Sequence, residues 1–504
     1  MTGKHSSNSK SIAKNILYSS STWFLPMGLS FFATPIIVRA LGNEDYGIYA
    51  LVLGFIAYSF NFNIGRALTK YIAEYRVNDQ KEKIQEVISA TFFVNLTIGL
   101  AGLSIIFLSA NWLVREVFKI ESASQSKTVN ALYLSGFIIF FTMLSQVFSA
   151  ILQGIQRYDV FSKIFNVYNF FLIGGNLLLA LYGFKLNALL GWNLLIAIPT
   201  SLVILLCAKR LLPEFGIGFV FKRETLKLVL SYSWGVIFYQ ILANILLLFE
   251  RSWITRKLGA ESLTFYVVPM MLAVYMHGFI SSLMMVIFPL ASELKEDKEK
   301  LLRLYLKATK IVALLVVFLS LTLIVESKSF LTLWMNPGFA ENASNLLILH
   351  TLTFGLSAIG VISWYMMDGL GYPNYNCLVF VVCFIISISG MIWLTESYGN
   401  IGIAAARLAG FGTIFFSIFY VEKWFFKKVQ LKFWLKLIGS LAISAFAAGI
   451  CEKFLIQNLP VNWLTFIVSV MTGGLVYGGV LWVLGFITDE EKLLFRRVIN
   501  KNSA

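Results

Sequence analysis

The chain has 504 residues, of which 58% are apolar and 13% charged, with a formal net charge of +15. A soluble domain runs at roughly 45–50% apolar and about a quarter charged. The composition therefore excludes an ordinary soluble enzyme, a disordered regulator and a disulfide-stapled secreted scaffold. A charge of +15 would point a soluble protein toward nucleic acid. Here the basic residues sit in short segments between apolar runs, the pattern of a membrane's cytoplasmic face.

A membrane-crossing helix takes roughly 20 apolar residues. In chain order, apolar windows fall at 17–39, 45–67, 88–109, 129–152, 164–184, 187–207, 230–256, 262–288, 308–326, 345–367, 377–395, 401–420, 436–455 and 463–487. The expected fold is all-α and integral to the membrane, with about fourteen transmembrane helices. The first window is not a cleaved signal peptide, because it is long, contains Pro26 and Pro35, and leads into further spans. Lys and Arg divide 29 to 10 between alternate segments, and Arg66 and Arg407 inside spans complete the 41. The richer side holds both termini. The positive-inside rule then predicts a multi-pass protein of the cytoplasmic (inner) membrane with both termini cytoplasmic.

No metal or disulfide set is visible. Cys207, Cys377, Cys383 and Cys451 lie in or beside apolar runs and read as small buried hydrophobes. His5, His277 and His350 are far apart in the chain.

An internal repeat divides the windows. The segment from Arg39 to Tyr49 (RALGNEDYGIY) matches that from Arg256 to Tyr266 (RKLGAESLTFY) at Arg, Leu, Gly, Glu and Tyr, with an offset of 217. Gly154 pairs with Gly369 at offset 215, and Tyr182-Gly183 with Tyr398-Gly399 at offset 216. Each match links a window to the one six later. The expected organisation is an amino-terminal six-helix lobe at 1–210, a carboxy-terminal six-helix lobe at 222–422, and two appended helices with a cytoplasmic tail at 423–504. Six being even, both lobes would point the same way, which puts the pseudo-twofold axis along the membrane normal and the transport route at the lobe interface.

These features resemble the polysaccharide-biosynthesis flippases of the multidrug/oligosaccharidyl-lipid/polysaccharide exporter superfamily. The resemblance rests on the 6+6+2 arrangement and on three stretches: Leu41 to Tyr49, Gly154 to Phe161 (GIQRYDVF), and Phe249-Glu-Arg-Ser-Trp with Lys257-Leu-Gly-Ala-Glu following. It covers nearly the whole chain. It implies a MATE-like fold and a transporter rather than an enzyme. The implied activity is alternating-access transfer of an undecaprenyl-type, polyprenyl-pyrophosphate-linked oligosaccharide from the inner to the outer leaflet. It implies no cofactor, and coupling to a Na+ or H+ gradient. The implied partners are that lipid-linked oligosaccharide, membrane lipids, and a polysaccharide polymerase with its chain-length regulator; no nucleic acid is implied.

Charges within a span cost roughly 2.5–3.5 kcal/mol at a helix centre, so each marks function or a pair. Arg66 follows Asn61 and Asn63 near the inner end of the second window. Its planar fork suits a pyrophosphate, and snorkelling to headgroups is the competing explanation. Glu250 and Arg407 both fall six or so residues inside a span end of the carboxy-terminal repeat. Either they pair, or Arg251 partners Glu250. The resemblance makes Glu250 the candidate for ion coupling. His277, near Tyr275, Ser281 and Ser282, and the Gln240–Asn244 pair one turn apart, are either glue between helices or sugar contacts. Pro26, Pro35 and Pro269 are expected to kink the first and eighth spans. The aromatic, basic stretch 423–436 reads as an interfacial segment or a plain positive-inside loop.

Three other functions compete. A cation-coupled multidrug antiporter of the same superfamily would be expected to carry an acid in the first span, and 17–39 has none. A lipid II flippase would be expected to concentrate arginines in the first lobe, whose spans hold Arg66 alone. A membrane glycosyltransferase needs acidic residues for base or metal work, and the short loops carry no such motif.

Overall fold

The computed structural model describes residues 3–59, 65–218, 222–284 and 287–486. Among them there are helices and no strands. The helices are α1 (Gly3–Leu41), α2 (Asn43–Tyr58), α3 (Gly65–Val77), α4 (Lys81–Trp112), α5 (Ser122–Gly154), α6 (Tyr158–Leu181), α7 (Leu186–Leu211) and α8 (Arg223–Leu258). There follow α9 (Ala260–Met284), α10 (Ile287–Glu293), α11 (Lys298–Val325), α12 (Ser327–Trp334), α13 (Pro337–Gly369), α14 (Pro373–Phe411), α15 (Ile414–Phe419), α16 (Leu431–Asn458) and α17 (Trp463–Val483).

Eleven stretches among the described residues are long and apolar enough to cross a membrane by length and composition. The remaining windows lie in further helices or share one of these stretches. The window 45–67 covers α2, only 16 residues long, and the start of α3. The window 230–256 lies within the 36-residue α8. The windows 377–395 and 401–420 share the stretch Pro373–Phe425, in which non-helical backbone at Gly399 separates two helices. Helices α1 and α9 run on through Pro26, Pro35 and Pro269. Large apolar side chains such as Leu108 (87% exposed), Trp393 (80%) and Phe446 (73%) stand on the outside of these helices. That is the inverse of a soluble surface and what a hydrocarbon solvent would cover.

The backbone repeats where the sequence does. Gly42 (φ 85°, ψ 161°) and Gly259 (φ 88°, ψ 165°) share a conformation open to glycine almost alone, and they are 217 residues apart. Helices α5 and α13 each have 33 residues and end on Gly154 and Gly369. Two residues beyond each, Gln156 and Gly371 turn through positive φ; Gly183 and Gly399 do so as well.

The chain forms two compact units, 1–267 with 395–400, and 268–394 with 401–504. This division by compactness differs from the boundaries 1–210, 222–422 and 423–504 expected from the sequence repeat. In the first unit α3 packs against α4 and α5 around Leu68, Ile72, Ile84, Ile88 and Ile151. The second unit has one core between α11 and α13, including Tyr305, Val312, Ile362 and Met366. Another, around Leu437, Leu441, Ala448, Tyr477 and Leu481, seats α16 and α17 on Ala313 of α11. Here Glu422 is a buried hub. Its carboxylate accepts from Tyr305 Oη at 3.0 Å, Trp434 Nε1 at 2.6 Å and the Gln430 main-chain N–H at 2.7 Å. The basic stretch 423–436 is thereby tied to the bundle through Trp434.

Candidate functional site: a carboxylate-free cavity in the first unit

A cavity of about 460 Å³ opens in the first unit, walled by α3, α5, α6 and α7. Each wall is one helical stripe. Thr142, Ser145, Gln146, Ser149 and Gln153 of α5 recur at i, i+3, i+4, i+7 and i+11, so they share a face. Helix α6 contributes Phe161, Phe165 and Tyr168 at the same kind of spacing, with ring centroids 5.8 and 6.4 Å apart in sequence order. Thr200 of α7 and Thr69 of α3 add hydroxyls.

Most of these hydroxyls are already committed. Thr142 and Thr200 donate to carbonyls one turn back, at 2.8 and 2.7 Å. Thr69 donates to the Ala150 carbonyl at 3.2 Å, and Ser145 bonds Ser201 at 2.6 Å. Such bonds hold the polar stripe in place against the apolar pull of its helix. Among the described residues Arg66 is the charged residue of the lining, and no Asp or Glu lines it. The cavity thus presents a cation, side-chain amides, hydroxyls and aromatic faces to whatever enters. An anionic group with hydroxyls would be stabilised there, and a cation repelled.

The other sequence candidates lie elsewhere. Asn61 and Asn63 fall outside the described residues. In α8, Gln240 Nε2 donates to Asn244 Oδ1 at 3.1 Å. Glu250 is 1% exposed and accepts a hydrogen bond from Tyr266. Its neighbour Arg251 turns to the Ala50 carbonyl and sits 5.3 Å from the Tyr58 ring. In the second unit the structure joins two candidates through one ring. The Arg407 guanidinium lies 5.3 Å from the centroids of both Phe354 and Phe411, a cation held by aromatic faces. His277 packs edge-on to the same Phe354 at 6.0 Å and bonds Ser357 at 3.1 Å and Ser281 at 3.5 Å through Nε2. Neither His277 nor Arg407 lines the 460 Å³ cavity. Among the described residues no three His, Cys, Asp or Glu side chains group as metal ligands.

The residues that sequence reasoning missed are those of α5. Their signal was present: five polar residues at helical spacing inside the window 129–152 and just beyond it.

Helices of this length and apolarity, around a polar cavity, define a multi-pass helical membrane protein of the transporter type. The family model for polysaccharide biosynthesis proteins matches residues 12–295, more than half of the chain, and the chain belongs to that family. A Shigella flexneri protein described as an O-antigen transporter is 21% identical over 396 residues, spanning 78% of this chain and 93% of that protein. Among solved structures, the lipid II flippase MurJ in an inward closed conformation superposes with a TM-score of 0.75 at 16% identity, covering 93% of this chain and 99% of that one. An inward-facing multidrug resistance MATE family transporter of the MOP superfamily gives 0.67 at 17% identity, over 79% and 96%. The two structures establish a shared, MATE-like fold. The relatives are transporters and flippases, not enzymes.

Proposed function

We propose that this chain flips polyprenyl-pyrophosphate-linked oligosaccharide repeat units from the inner to the outer leaflet of the cytoplasmic membrane, by alternating access, for surface polysaccharide biosynthesis. The observation that carries this reading is the charge pattern of the cavity in the first unit: Arg66, hydroxyls and amides, without a carboxylate in the lining. A pyrophosphate suits the two-pronged guanidinium. The polar stripe of α5 suits sugar hydroxyls, and the rings of α6 suit the apolar faces of sugars. The polyprenyl chain stays in the bilayer. A cation-coupled multidrug antiporter handles organic cations, which this lining disfavours. Lipid II has the same kind of headgroup linkage, so a lipid II flippase is the second reading, supported by the fold alone.

In this proposal the repeat units 1–210 and 222–422 act as the alternating lobes, with 423–504 appended, and both termini are cytoplasmic. Transport draws on a Na+ or H+ gradient, worth roughly 2.3 kcal/mol per charge for each 100 mV, with Glu250 as the coupling acid. The functional partners are a polysaccharide polymerase and its chain-length regulator. The test is deletion. Loss of the protein should leave lipid-linked repeat units stranded in the inner leaflet while lipid II turnover continues. Absence of stranded repeat units would overturn the proposal, and a block in lipid II turnover would establish the second reading.

A further inference from the structure

The transport cavity leaves the basic, aromatic stretch 423–436 without a task. The stretch belongs to the second unit, and its charge is unbalanced. Lys423, Lys427, Lys428, Lys432 and Lys436 are all exposed, and among the described residues none of them is in an ion pair. Between Glu422 and Glu452 the chain has no acid, and Glu422 is buried under its three hydrogen bonds. At the start of α11, Asp297 and Glu299 pair with Lys300 and Arg303 at 2.8 and 3.2 Å. Lys298 adds a further cation, 5.7 Å from the centroid of the Phe425 ring. The lysines stand on a fixed frame. The Lys428 main-chain N–H donates to the Glu422 carbonyl at 3.0 Å, and Lys427 turns the chain through positive φ, at 59°. Helix α16 then divides by spacing. Phe433, Trp434, Leu437 and Leu441 pack into the bundle. Leu431, Leu435 and Ile438, at i, i+4 and i+7, form an exposed apolar stripe, with Lys432 and Lys436 beside it. Trp424, 57% exposed, completes an aromatic cluster with Tyr420 at 5.9 Å and Tyr375 at 6.4 Å between ring centroids.

We propose that the stretch 423–436, with Lys298, is a binding surface for anionic phospholipids. The lysines neutralise the headgroup phosphates, and Leu431, Leu435 and Trp424 lie against the acyl chains. Three features of the surface point to lipid. Its cations have no acid of the protein to satisfy them, and a leaflet of anionic lipid supplies that charge. Its lysines alternate with exposed apolar side chains, the arrangement that meets headgroup and hydrocarbon at once. Its Trp and Tyr rings are of the kind that gather at the boundary between the two. A soluble polyanion would satisfy the lysines but leave the Leu431–Leu435–Ile438 stripe in water. A zwitterionic headgroup brings its own cation, which the lysines repel. The cytoplasmic placement of this face rests on the orientation proposed above, whereas lipid binding by the purified protein does not.

The test is native mass spectrometry of the full-length protein in detergent, offered equal amounts of phosphatidylglycerol and phosphatidylcholine with the same acyl chains. The wild type should retain phosphatidylglycerol in clear excess. A lysine near the headgroups is worth about five-fold in binding, so Lys427→Gln with Lys428→Gln and Lys432→Gln should cut the ratio of the two bound lipids by about ten-fold or more. A matched variant that removes three exposed lysines of the first unit, Lys81→Gln with Lys209→Gln and Lys227→Gln, should keep the wild-type ratio. Should the first triple variant not fold, Lys428→Gln and Lys432→Gln singly should each lower the ratio by about five-fold. Equal retention of the two lipids by the wild type would overturn the assignment. So would an unchanged ratio in the 427–432 variants, or an equal fall in the matched variant, which would make the preference a matter of net charge alone. Displacement of the bound phosphatidylglycerol by equimolar glycerol phosphate would overturn it as well, by making the surface a site for soluble phosphate.

Discussion

Replacing Glu422 by alanine removes the acceptor that three donors share: the Tyr305 hydroxyl, the Trp434 indole N–H and the Gln430 main-chain N–H, at 3.0, 2.6 and 2.7 Å. A buried donor left unmade costs about 1–3 kcal/mol. Tyr305 is fully buried and should bear the upper part of that range, while Trp434 and Gln430 are half-exposed and regain water. The sum is about 4 kcal/mol, before any cavity contribution. For a unit of this size about 2–4 °C accompanies each kcal/mol, so the melting temperature should fall by roughly 8–16 °C. Glu422→Gln keeps one acceptor oxygen but turns an N–H₂ toward a donor, and should fall by about half as much. The assay is thermal unfolding of the purified protein in detergent, followed by tryptophan fluorescence, which also reports Trp434. A drop of under about 2 °C for Glu422→Ala would refute the view that this hub ties 423–436 to the bundle.

Three further outcomes follow from local geometry. Asn336 caps α13 by accepting the Phe339 N–H at 2.8 Å; Asn336→Ala should cost about 1 kcal/mol, measured by the same melts. Gly371 holds φ 88°, so Gly371→Ala should also cost about 1 kcal/mol. Its repeat partner Gln156, already at φ 60°, should tolerate glycine with little change. The Lys300 side chain and then its main-chain N–H hold the Asp297 carboxyl below its usual range at the start of α11. Its contribution is therefore complete above the unfolded aspartate pKa, near 3.9, and lost as pH falls through the lower folded value. Amide exchange in the first turn of α11 should accelerate only at such acid pH, and Asp297→Asn should abolish that pH dependence.

Periodicity and glycine carried most of the fold. Among the described residues every apolar window lies mainly in helix, because burying a backbone in hydrocarbon leaves no other option for so apolar a chain. The repeat was legible through Gly42 and Gly259, since a positive φ constrains residue type directly. At 377–420 the two windows correspond to two helices parted by non-helical backbone at Gly399. The short helices α10 and α12 carry no period long enough to read. At the site, Arg66 stood out as a charge in an apolar run, but the α5 stripe is made of neutral residues that hydropathy averages away.

The central claim is that a pyrophosphate-linked glycolipid crosses the bilayer through the cavity that Arg66 serves. The direct measurement is the leaflet distribution of lipid-linked repeat units in spheroplasts carrying the wild type, Arg66→Gln or Arg66→Lys, at matched protein levels. A charge-assisted contact is worth about 1.5–3 kcal/mol, so Arg66→Gln should slow outward transfer by roughly 10- to 150-fold. Arg66→Lys, which keeps the charge and loses the fork, should fall between that and the wild type. Transfer by Arg66→Gln at the wild-type rate would contradict the account.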